Sequence, residues 1–217
     1  MTRKPTRGVL ALLTLLATAA CKHTEPPPPK SGAFSISDKF FDVKALGDGK
    51  FVMLGYRSKI LRTEDSGATW KPVAQPMQRS LARLTFVDDA KGWGIGHQGR
   101  IFATTDGGLN WTEQKSGTEL SLFDADFPTP QRGYAVGDGS SIVMTSDGGA
   151  TWTAGKIEMS MIGVREDMSL AIEDPIFYSV DCLDENTCWV TGEFGQIRLT
   201  EDGGKTWTAQ HESLLGG

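Results

Sequence analysis

An octapeptide of the form Thr-x-Asp-x-Gly-x-Thr-Trp occurs four times in this chain, and this repeat limits the possible folds more than any other feature. The copies end at Trp70, Trp111, Trp152 and Trp207, so successive tryptophans are 41, 41 and 55 residues apart. A period of about 40 residues is long enough for one unit of four short strands, and such units stack side by side. We therefore predict a repeat protein with one octapeptide in each unit.

The residues that precede each octapeptide align as short strands and tight turns. A glycine lies ten residues before each motif aspartate, a small residue follows three positions later, and an isoleucine comes two positions after that. In the second unit, four short runs at 81–87, 92–96, 100–104 and 110–114 are bounded by turn residues, as strands are. Four-stranded meanders at this spacing are typical of propeller blades. The predicted fold is an all-β propeller with four-stranded antiparallel blades. The repeated glycines are Gly55, Gly96, Gly137 and Gly192.

The first twenty residues predict export from the cell. Basic residues precede an apolar run from Val9 to Leu16, and small residues follow up to Cys21. This is the organisation of a secretory signal, and the run is short for a membrane-spanning helix. The Thr-Ala-Ala that precedes Cys21 resembles a bacterial lipobox with threonine in place of the usual leucine, which implies lipidation of Cys21. The alternative is an ordinary signal that is cut just before this cysteine.

Four consecutive prolines after the signal predict an extended tether that cannot join a core. Removal of the signal takes away three positive charges and changes the formal net charge from −5 to −8, which argues against binding to nucleic acid. The expected location is the bacterial cell envelope, with the protein held to the membrane by its lipid and facing the periplasm or the cell surface. The predicted domains are a signal at 1–20, a tether at 21–35 and one propeller domain at 36–217, with blades at about 40–76, 80–117, 121–158 and 175–213.

The octapeptide itself is expected to be structural. Its aspartate can accept backbone hydrogen bonds within a hairpin while its glycine takes the left-handed conformation, and calcium loops carry more carboxylates than this. Cys182 and Cys188 flank a short polar stretch, and an exported pair of this kind is expected to form a disulfide. The histidines lack ligand spacing, so we predict no metal and no cofactor. The structural positions are Asp65, Gly67, Trp70, Asp106, Gly108, Trp111, Asp147, Gly149, Trp152, Asp202, Gly204 and Trp207.

The octapeptides match the Asp-box, or bacterial neuraminidase repeat, of sialidases, xyloglucanases and sortilin-type receptors. Asn110 replaces the threonine in the second copy, and Ser66 replaces a common glycine in the first. The wider pattern, clearest from Gly92 to Ile101, most resembles the photosystem II stability/assembly-factor family and its relatives in non-photosynthetic bacteria. The resemblance covers about 40–213 and implies a role in protein binding. Members of that family are typically seven-bladed, so we expect a closed four-bladed ring, an open arc, or a piece completed by a partner or a second copy.

The turns opposite the Asp-boxes are where a binding site is expected. In a four-stranded blade, the A–B and C–D turns share one face and the B–C turns share the other. The B–C turns differ between copies, and variation on a matched scaffold is expected where a site is grafted. The link at 158–174 adds fourteen residues and three methionines, which predict either an adaptable contact surface or a loop packed on a blade. The candidate binding face is Tyr56, Arg57, Arg79, Arg83, His97, Gln98, Arg100, Asp138, Glu193 and Phe194.

The favoured function is a non-enzymatic, exported and lipid-anchored propeller that binds an unidentified protein of the cell envelope, with self-association or a second propeller fragment as further possibilities. The arginine triad and tyrosine nucleophile of sialidases are not found in the sequence. The alternative is a carbohydrate-binding or glycosidase-like propeller, in which Asp138 and Glu193 would form a pair of carboxylates across the ring. Tyr134 is expected to occupy the core position that Trp93 and Trp189 hold in their own blades.

Overall fold

The computed structural model describes residues 33–74, 81–157 and 174–210. The predicted signal with Cys21, the start of the tether, Arg79 and all but the last residue of the methionine-rich link lie outside these residues. Within them, sixteen strands form four antiparallel sheets of four strands each. The strands are β1 (Phe40–Ala45), β2 (Phe51–Gly55), β3 (Lys59–Thr63) and β4 (Lys71–Pro72) in blade 1; β5 (Leu81–Phe86), β6 (Gly92–Gly96), β7 (Arg100–Thr104) and β8 (Thr112–Lys115) in blade 2; β9 (Leu122–Asp126), β10 (Gly133–Gly137), β11 (Ser141–Thr145) and β12 (Thr153–Lys156) in blade 3; and β13 (Phe177–Cys182), β14 (Cys188–Gly192), β15 (Ile197–Thr200) and β16 (Thr208–Ala209) in blade 4.

Each blade is a meander whose strands A to D pair in chain order. The four strands predicted in the second unit agree with β5 to β8 to within two residues at every end. All residues of β6 and β10 are buried, on both faces of their sheets. This burial is expected when a sheet packs against a neighbour on each side. The prediction of an all-β propeller with four-stranded blades is confirmed.

The glycine that precedes the B–C turn has a steric role in blades 1, 3 and 4. At Gly137 the backbone is extended, with φ −175°, so conformational freedom is not the reason for the residue. The chain that enters strand A passes against it instead, and a Cβ at Gly137 would lie 1.9 Å from the carbonyl oxygen of Ser121. That oxygen accepts a hydrogen bond from Asp138 N at 2.9 Å. A side chain is therefore excluded at this position because the backbone of the preceding connection, which leads into strand A of the same blade, occupies its space.

The hydrophobic core lies between blades rather than within them. Three clusters fill the contacts between blades 1 and 2, 2 and 3, and 3 and 4. In the second cluster, the indole of Trp93 stacks on Phe127 of the next blade with ring centroids 3.5 Å apart and planes 8° apart. No comparable cluster joins blade 4 to blade 1 in the described residues. Of the three arrangements that the sequence leaves open, the described residues form the open arc.

The open end changes the surroundings of one predicted core residue. Trp93 and Tyr134 are fully buried at the same repeat position, as expected. Trp189 is 41% exposed, so its predicted place in the core is wrong. The physical reason is that Trp93 and Tyr134 pack against a following blade, whereas blade 4 has no following blade in this part of the chain.

Candidate functional site: the Asp-box scaffold and the variable face

The four Asp-boxes share one hydrogen-bond pattern. In the third copy, Thr145 Oγ1 donates to Asp147 Oδ1 at 2.8 Å and accepts from Gly149 N at 2.8 Å. The same carboxylate accepts from the backbone N and the hydroxyl of Thr151, at 2.9 and 2.6 Å. Asn110 replaces threonine in the second copy without loss of the pattern, because its Nδ2 donates to Asp106 Oδ2 at 2.7 Å. Each aspartate therefore closes its own C–D turn, in agreement with a structural role.

These hydrogen bonds keep the Asp-box carboxylates ionised. Bonds from the threonine hydroxyl and from backbone N–H groups lower the pKa of Asp65, Asp147 and Asp202 to about 2. At Asp106, burial opposes ionisation, but bonds from the Asn110 side chain and backbone still hold the pKa below its ordinary value. Hydrogen bonds to the charged form of an acid favour that form, and this is the main cause in the three strongest cases.

Acid is therefore expected to weaken the fold. A carboxylate whose pKa is lower in the folded than in the unfolded state contributes stability above the unfolded pKa, and that stability is lost as the pH falls through the folded pKa. With an unfolded value near 3.8 and folded values of about 2, the melting temperature should fall as the pH is lowered from about 4 to about 2. The variant Asp147→Asn should be less stable at pH 7 and should lose less stability over this acid range than the wild type. Parallel melting curves for the two proteins between pH 4 and 2 would contradict this explanation.

The Asp-boxes and the A–B turns form one continuous face, which we call the scaffold face. In all four blades, a backbone N–H of the C–D turn donates to a carbonyl of the A–B turn, for example Gly148 N to Gln131 O at 2.8 Å. Hydrogen bonds also join neighbouring blades on this face. For example, Tyr134 OH of blade 3 donates to Glu185 O of blade 4 at 2.7 Å. Cys182 and Cys188 form a disulfide across the A–B turn of blade 4, with Cα atoms 4.0 Å apart. Many backbone and polar side-chain groups on this face thus hold turns and blades together.

The B–C turns lie on the opposite face, which we call the variable face. In each of these turns, the two central residues have positive φ, as at Arg57 (59°) and Ser58 (58°), and the backbone N of Lys59 donates to Tyr56 O. This is the geometry of a type I′ hairpin, which favours glycine, asparagine or aspartate. Gly139 meets this preference in blade 3, whereas Arg57, Gln98 and Phe194 are left-handed without being glycine. At its first central position, one backbone shape therefore carries a different residue in each blade.

The variable face carries exposed apolar and charged groups. The exposed fractions of Tyr56 and Phe194 are 60% and 70%, and the Arg57 guanidinium lies over the Tyr56 ring at 5.7 Å from its centroid. Left-handed residues with large side chains are sparsely populated and are concentrated at functional sites, and exposed aromatic groups often mark contact surfaces. The face thus has the chemistry of a contact surface for another molecule.

Two of the three described arginines of the candidate binding face, Arg83 and Arg100, form ion pairs. Arg83 Nε donates to Asp124 Oδ1 of the next blade at 3.0 Å. Arg100 forms an ion pair with Glu113 of the adjacent strand. Arg83 and Arg100 are therefore each paired with a carboxylate, and their part in the candidate binding face stays a prediction. The Arg100 pair lies in a cleft of about 640 Å³ at the outer edge of blade 2.

An aromatic row runs along the inner edge of the variable face, and sequence reasoning found only part of it. The row consists of His97, Phe123 and Tyr178, with centroids 6.5 and 6.2 Å apart in successive pairs. His97 Nδ1 also lies 3.3 Å from Ser121 Oγ. Glu193 ends the row, where its carboxylate accepts from Tyr178 OH at 3.2 Å. We call these four residues, His97, Phe123, Tyr178 and Glu193, the inner rim.

A β-bulge in strand A places two of the inner-rim aromatic groups, Phe123 and Tyr178. The register of strand A against strand B shifts at the same point in every blade, and the residues at the shift are Phe41, Ala82, Phe123 and Tyr178. Bulges redirect side chains and often lie next to sites. An aromatic residue at this position in three of the four units was the available sequence signal for Phe123 and Tyr178.

The predicted carboxylate pair lies in adjacent blades rather than across a ring. Glu193 also accepts from Ile176 N at 3.0 Å, so backbone and phenol donors satisfy this carboxylate. Burial and the hydrogen bond to Glu193 raise the pKa of Tyr178, and the charge of Asp138 contributes in the same direction. Of the two acids, Glu193 is the one that hydrogen-bonds the Tyr178 hydroxyl. No cluster of three or more potential metal ligands occurs among the described residues.

Four Asp-box meanders packed side by side define this chain as a BNR-type β-propeller protein. A family model described as photosynthesis system II assembly factor YCF48 matches residues 109–214, slightly less than half of the chain. The chain is thus a BNR-type propeller related to the photosystem II assembly factor. A comparison with curated protein sequences finds no match.

Solved structures of several propellers are similar to this chain. YCF48 from Cyanidioschyzon merolae is 17% identical with a TM-score of 0.58, and the match covers 77% of this chain and 52% of that one. The GH74 xyloglucanase from Xanthomonas campestris is 16% identical with a TM-score of 0.61, over 80% of this chain and 31% of the enzyme. The WD40 propeller domain of Doa1 is 14% identical with a TM-score of 0.58, over 82% and 53%. The chain spans about half the length of the YCF48 structure, and these likenesses show the fold alone.

No helix in the described part of the chain is both long enough and apolar enough to cross a bilayer.

Proposed function

We propose that this chain is a non-enzymatic, exported and lipid-anchored propeller that binds a protein of the cell envelope through its variable face. The observation that carries the proposal is the contrast between the two faces. The scaffold face uses many of its polar groups internally, whereas the B–C turns expose Tyr56 and place Arg57 and Phe194 on left-handed backbone. Such a conformation persists only where the surrounding structure enforces it, which is expected where the side chain has a use. The relation to an assembly-factor family supports a protein as the ligand.

Export and the lipid anchor rest on the N-terminal sequence alone. Mass spectrometry of the mature protein should detect a diacylglyceryl group on an N-terminal Cys21. A mature protein that begins elsewhere, or that carries no lipid, would remove the anchor from the proposal and leave the binding face unaffected.

Binding is tested by capture of partners from envelope extracts with paired variants. The double variant Arg57→Glu, Phe194→Asp alters the variable face at two exposed turn tips and should lose the captured partner. Aspartate tolerates the left-handed conformation, so this change should not disturb the Phe194 turn. Arg83 is left unchanged, because a carboxylate in its place would face Asp124. The matched control is Leu183→Asp, which changes an 84% exposed apolar residue on the scaffold face and should retain the partner. Equal capture by both variants would place the binding site elsewhere.

A second candidate function is carbohydrate binding at the inner rim. The observation that favours it is the row of aromatic rings that ends in a carboxylate, since sugars stack on aromatic faces and hydrogen-bond to acids. The related fold of GH74 enzymes is compatible with this reading but shows the fold alone. Binding on a glycan array that is lost in Tyr178→Ala and retained in Arg57→Glu would favour the sugar over the protein partner.

A further inference from the structure

The two ends of the arc expose positions that are buried in every interior contact. Each blade has a leading face toward the next blade and a trailing face toward the previous one. On the leading faces, the repeated isoleucines Ile60, Ile101 and Ile142 have exposed fractions of 1%, 0% and 2%. The matching residue of blade 4, Ile197, is 38% exposed, and Trp189 beside it is 41% exposed. Among residues 33–74, 81–157 and 174–210, nothing covers these apolar positions on the leading face of blade 4.

Blade 1 exposes the opposite kind of surface. Leu84, Ala125 and Val180 occupy one position of strand A on the trailing faces of blades 2, 3 and 4, with exposed fractions of 0%, 6% and 4%. The matching residue of blade 1, Val43, is 53% exposed. It lines a cleft of about 370 Å³ together with Phe40, Phe41, Asp42 and Met53.

The interior contacts show which surface covers a leading face. Trp93 on the leading face of blade 2 stacks on Phe127 on the trailing face of blade 3. At the next contact, the leading-face Tyr134 joins a cluster that includes the smaller Cys182 at the position of Phe127. In blade 1 this position is Ala45, which leaves room for a large leading-face residue such as Trp189. At this position, the large side chain of Trp189 on blade 4 is therefore complementary in size to the small side chain of Ala45 on blade 1.

At two interior contacts, an aspartate of strand A accepts a backbone hydrogen bond from strand A of a neighbouring blade. Asp42 accepts from Leu84 N of the next blade at 2.7 Å, and Asp124 accepts from Val180 N at 3.0 Å. The corresponding N–H of blade 1, at Val43, donates instead to the carboxylate of its own neighbour Asp42, at 2.9 Å.

The charges at a second position of strand A are complementary between the two ends. Burial raises the pKa of Asp126 in blade 3, hydrogen bonds oppose this, and the charge of Asp181 at the same position in blade 4 raises it further. In a contact between blade 4 and a copy of blade 1, the residues at this position would be Asp181 and Lys44. An unfavourable pair in the interior would thus become a favourable pair at the ends.

We propose that the leading face of blade 4 binds the trailing face of blade 1 of a second copy of this chain. The surfaces that meet are different, so the contact is heterologous, and two copies related by a two-fold axis can satisfy all four end faces at once. The result is a ring of eight blades in which Trp189, Ile197 and Val43 are buried. The variable face remains free, so this assembly is independent of the proposed partner site.

The oligomeric state of the full chain tests this assembly. The protein carrying Cys21→Ser, which removes the predicted lipid, is examined by sedimentation equilibrium. With no further substitution, this protein should be a dimer at about 100 μM. That concentration is well above the one at which a standard-size interface dissociates. Val43→Asp and Ile197→Asp should each weaken association by at least about 30-fold, the effect of losing an interface hot spot. Leu183→Asp is the matched control, because it adds the same charge to blade 4 away from the leading face, and it should leave the dimer intact.

Mixing the two variants distinguishes this contact from other dimers. Val43→Asp keeps an intact leading face and Ile197→Asp keeps an intact trailing face, so an equimolar mixture should recover a dimer with one contact. A contact of blade 4 with blade 4 would leave Val43→Asp dimeric on its own. Three results would overturn the proposal: a dimeric Val43→Asp variant, a protein without end-face substitutions that is monomeric at about 100 μM, or a mixture that stays monomeric.

Discussion

Replacement of Gly137 by alanine should destabilise the protein by about 3 kcal/mol or more, near or beyond the upper end of ordinary overpacking. The new Cβ would lie 1.9 Å from Ser121 O and 2.8 Å from the Cα of Leu122. Both atoms belong to the backbone, so no change of rotamer can relieve the contact. Separation of the two segments would also break the hydrogen bond from Asp138 N to Ser121 O. Urea unfolding followed by tryptophan fluorescence measures the loss.

Gly155 is the matched control for this substitution. It lies in β12 of the same blade, and the nearest atom to an added Cβ is Ile142 Cγ2 at 3.9 Å. Gly155→Ala should leave stability unchanged or raise it by up to about 1 kcal/mol, since alanine loses less conformational entropy than glycine. If Gly137→Ala were as stable as Gly155→Ala, the close approach of the connection to strand B would be disproved.

The same substitution at two equivalent tryptophans should have very different effects. Trp93→Ala removes a fully buried indole that stacks on Phe127, and should cost about 3–5 kcal/mol. Trp189→Ala removes an indole that is 41% exposed at the end of the arc, and should cost less than about 1.5 kcal/mol in the monomer. The comparison is made by urea unfolding at a concentration low enough to keep the chain monomeric.

The difference between these two variants measures whether the arc is open in solution. Both residues hold the same repeat position, so intrinsic strand preference and turn chemistry are matched. A loss at Trp189 as large as that at Trp93 in a monomer would show that a part of the same chain covers blade 4.

The repeat made the architecture of each blade predictable from sequence. The Asp-box and the glycine ten residues before its aspartate mark the C–D and B–C turns, and the short runs beside these turns are typical of strands. The predicted strands of blade 2 therefore agree closely with β5 to β8. The reason for the glycine was not visible, because the atom that excludes a side chain at Gly137 belongs to a segment sixteen residues earlier, at Ser121.

Features that depend on contacts between blades were not predictable from one unit. Arg83 resembles a solvated surface arginine in sequence, and only the packing of blades 2 and 3 brings it to Asp124. Trp189 resembles Trp93 in every local respect, and only the missing neighbour exposes it. Tyr178 was overlooked at the inner rim because a bulge changes its direction relative to the alternation of the strand.

Comparison of the repeats also predicted that one face is structural and that the other is the binding face. The octapeptide is the most obvious motif in the chain, yet its Asp65, Asp147 and Asp202 side chains are all engaged within their own turns. The residues that vary between blades lie at the other end of the strands, where Phe194 and Tyr56 are exposed. We therefore propose the variable face as the site of recognition.

Photo-crosslinking in intact cells tests this central proposal most directly. A photoreactive phenylalanine analogue is placed at Phe194 on the variable face, or at Leu183 on the scaffold face of the same blade. These residues are 70% and 84% exposed, so both probes are accessible to a partner. We expect a specific protein adduct from position 194 that is absent from position 183. The same adduct from position 183 alone, or from both positions equally, would contradict the assignment of recognition to the variable face.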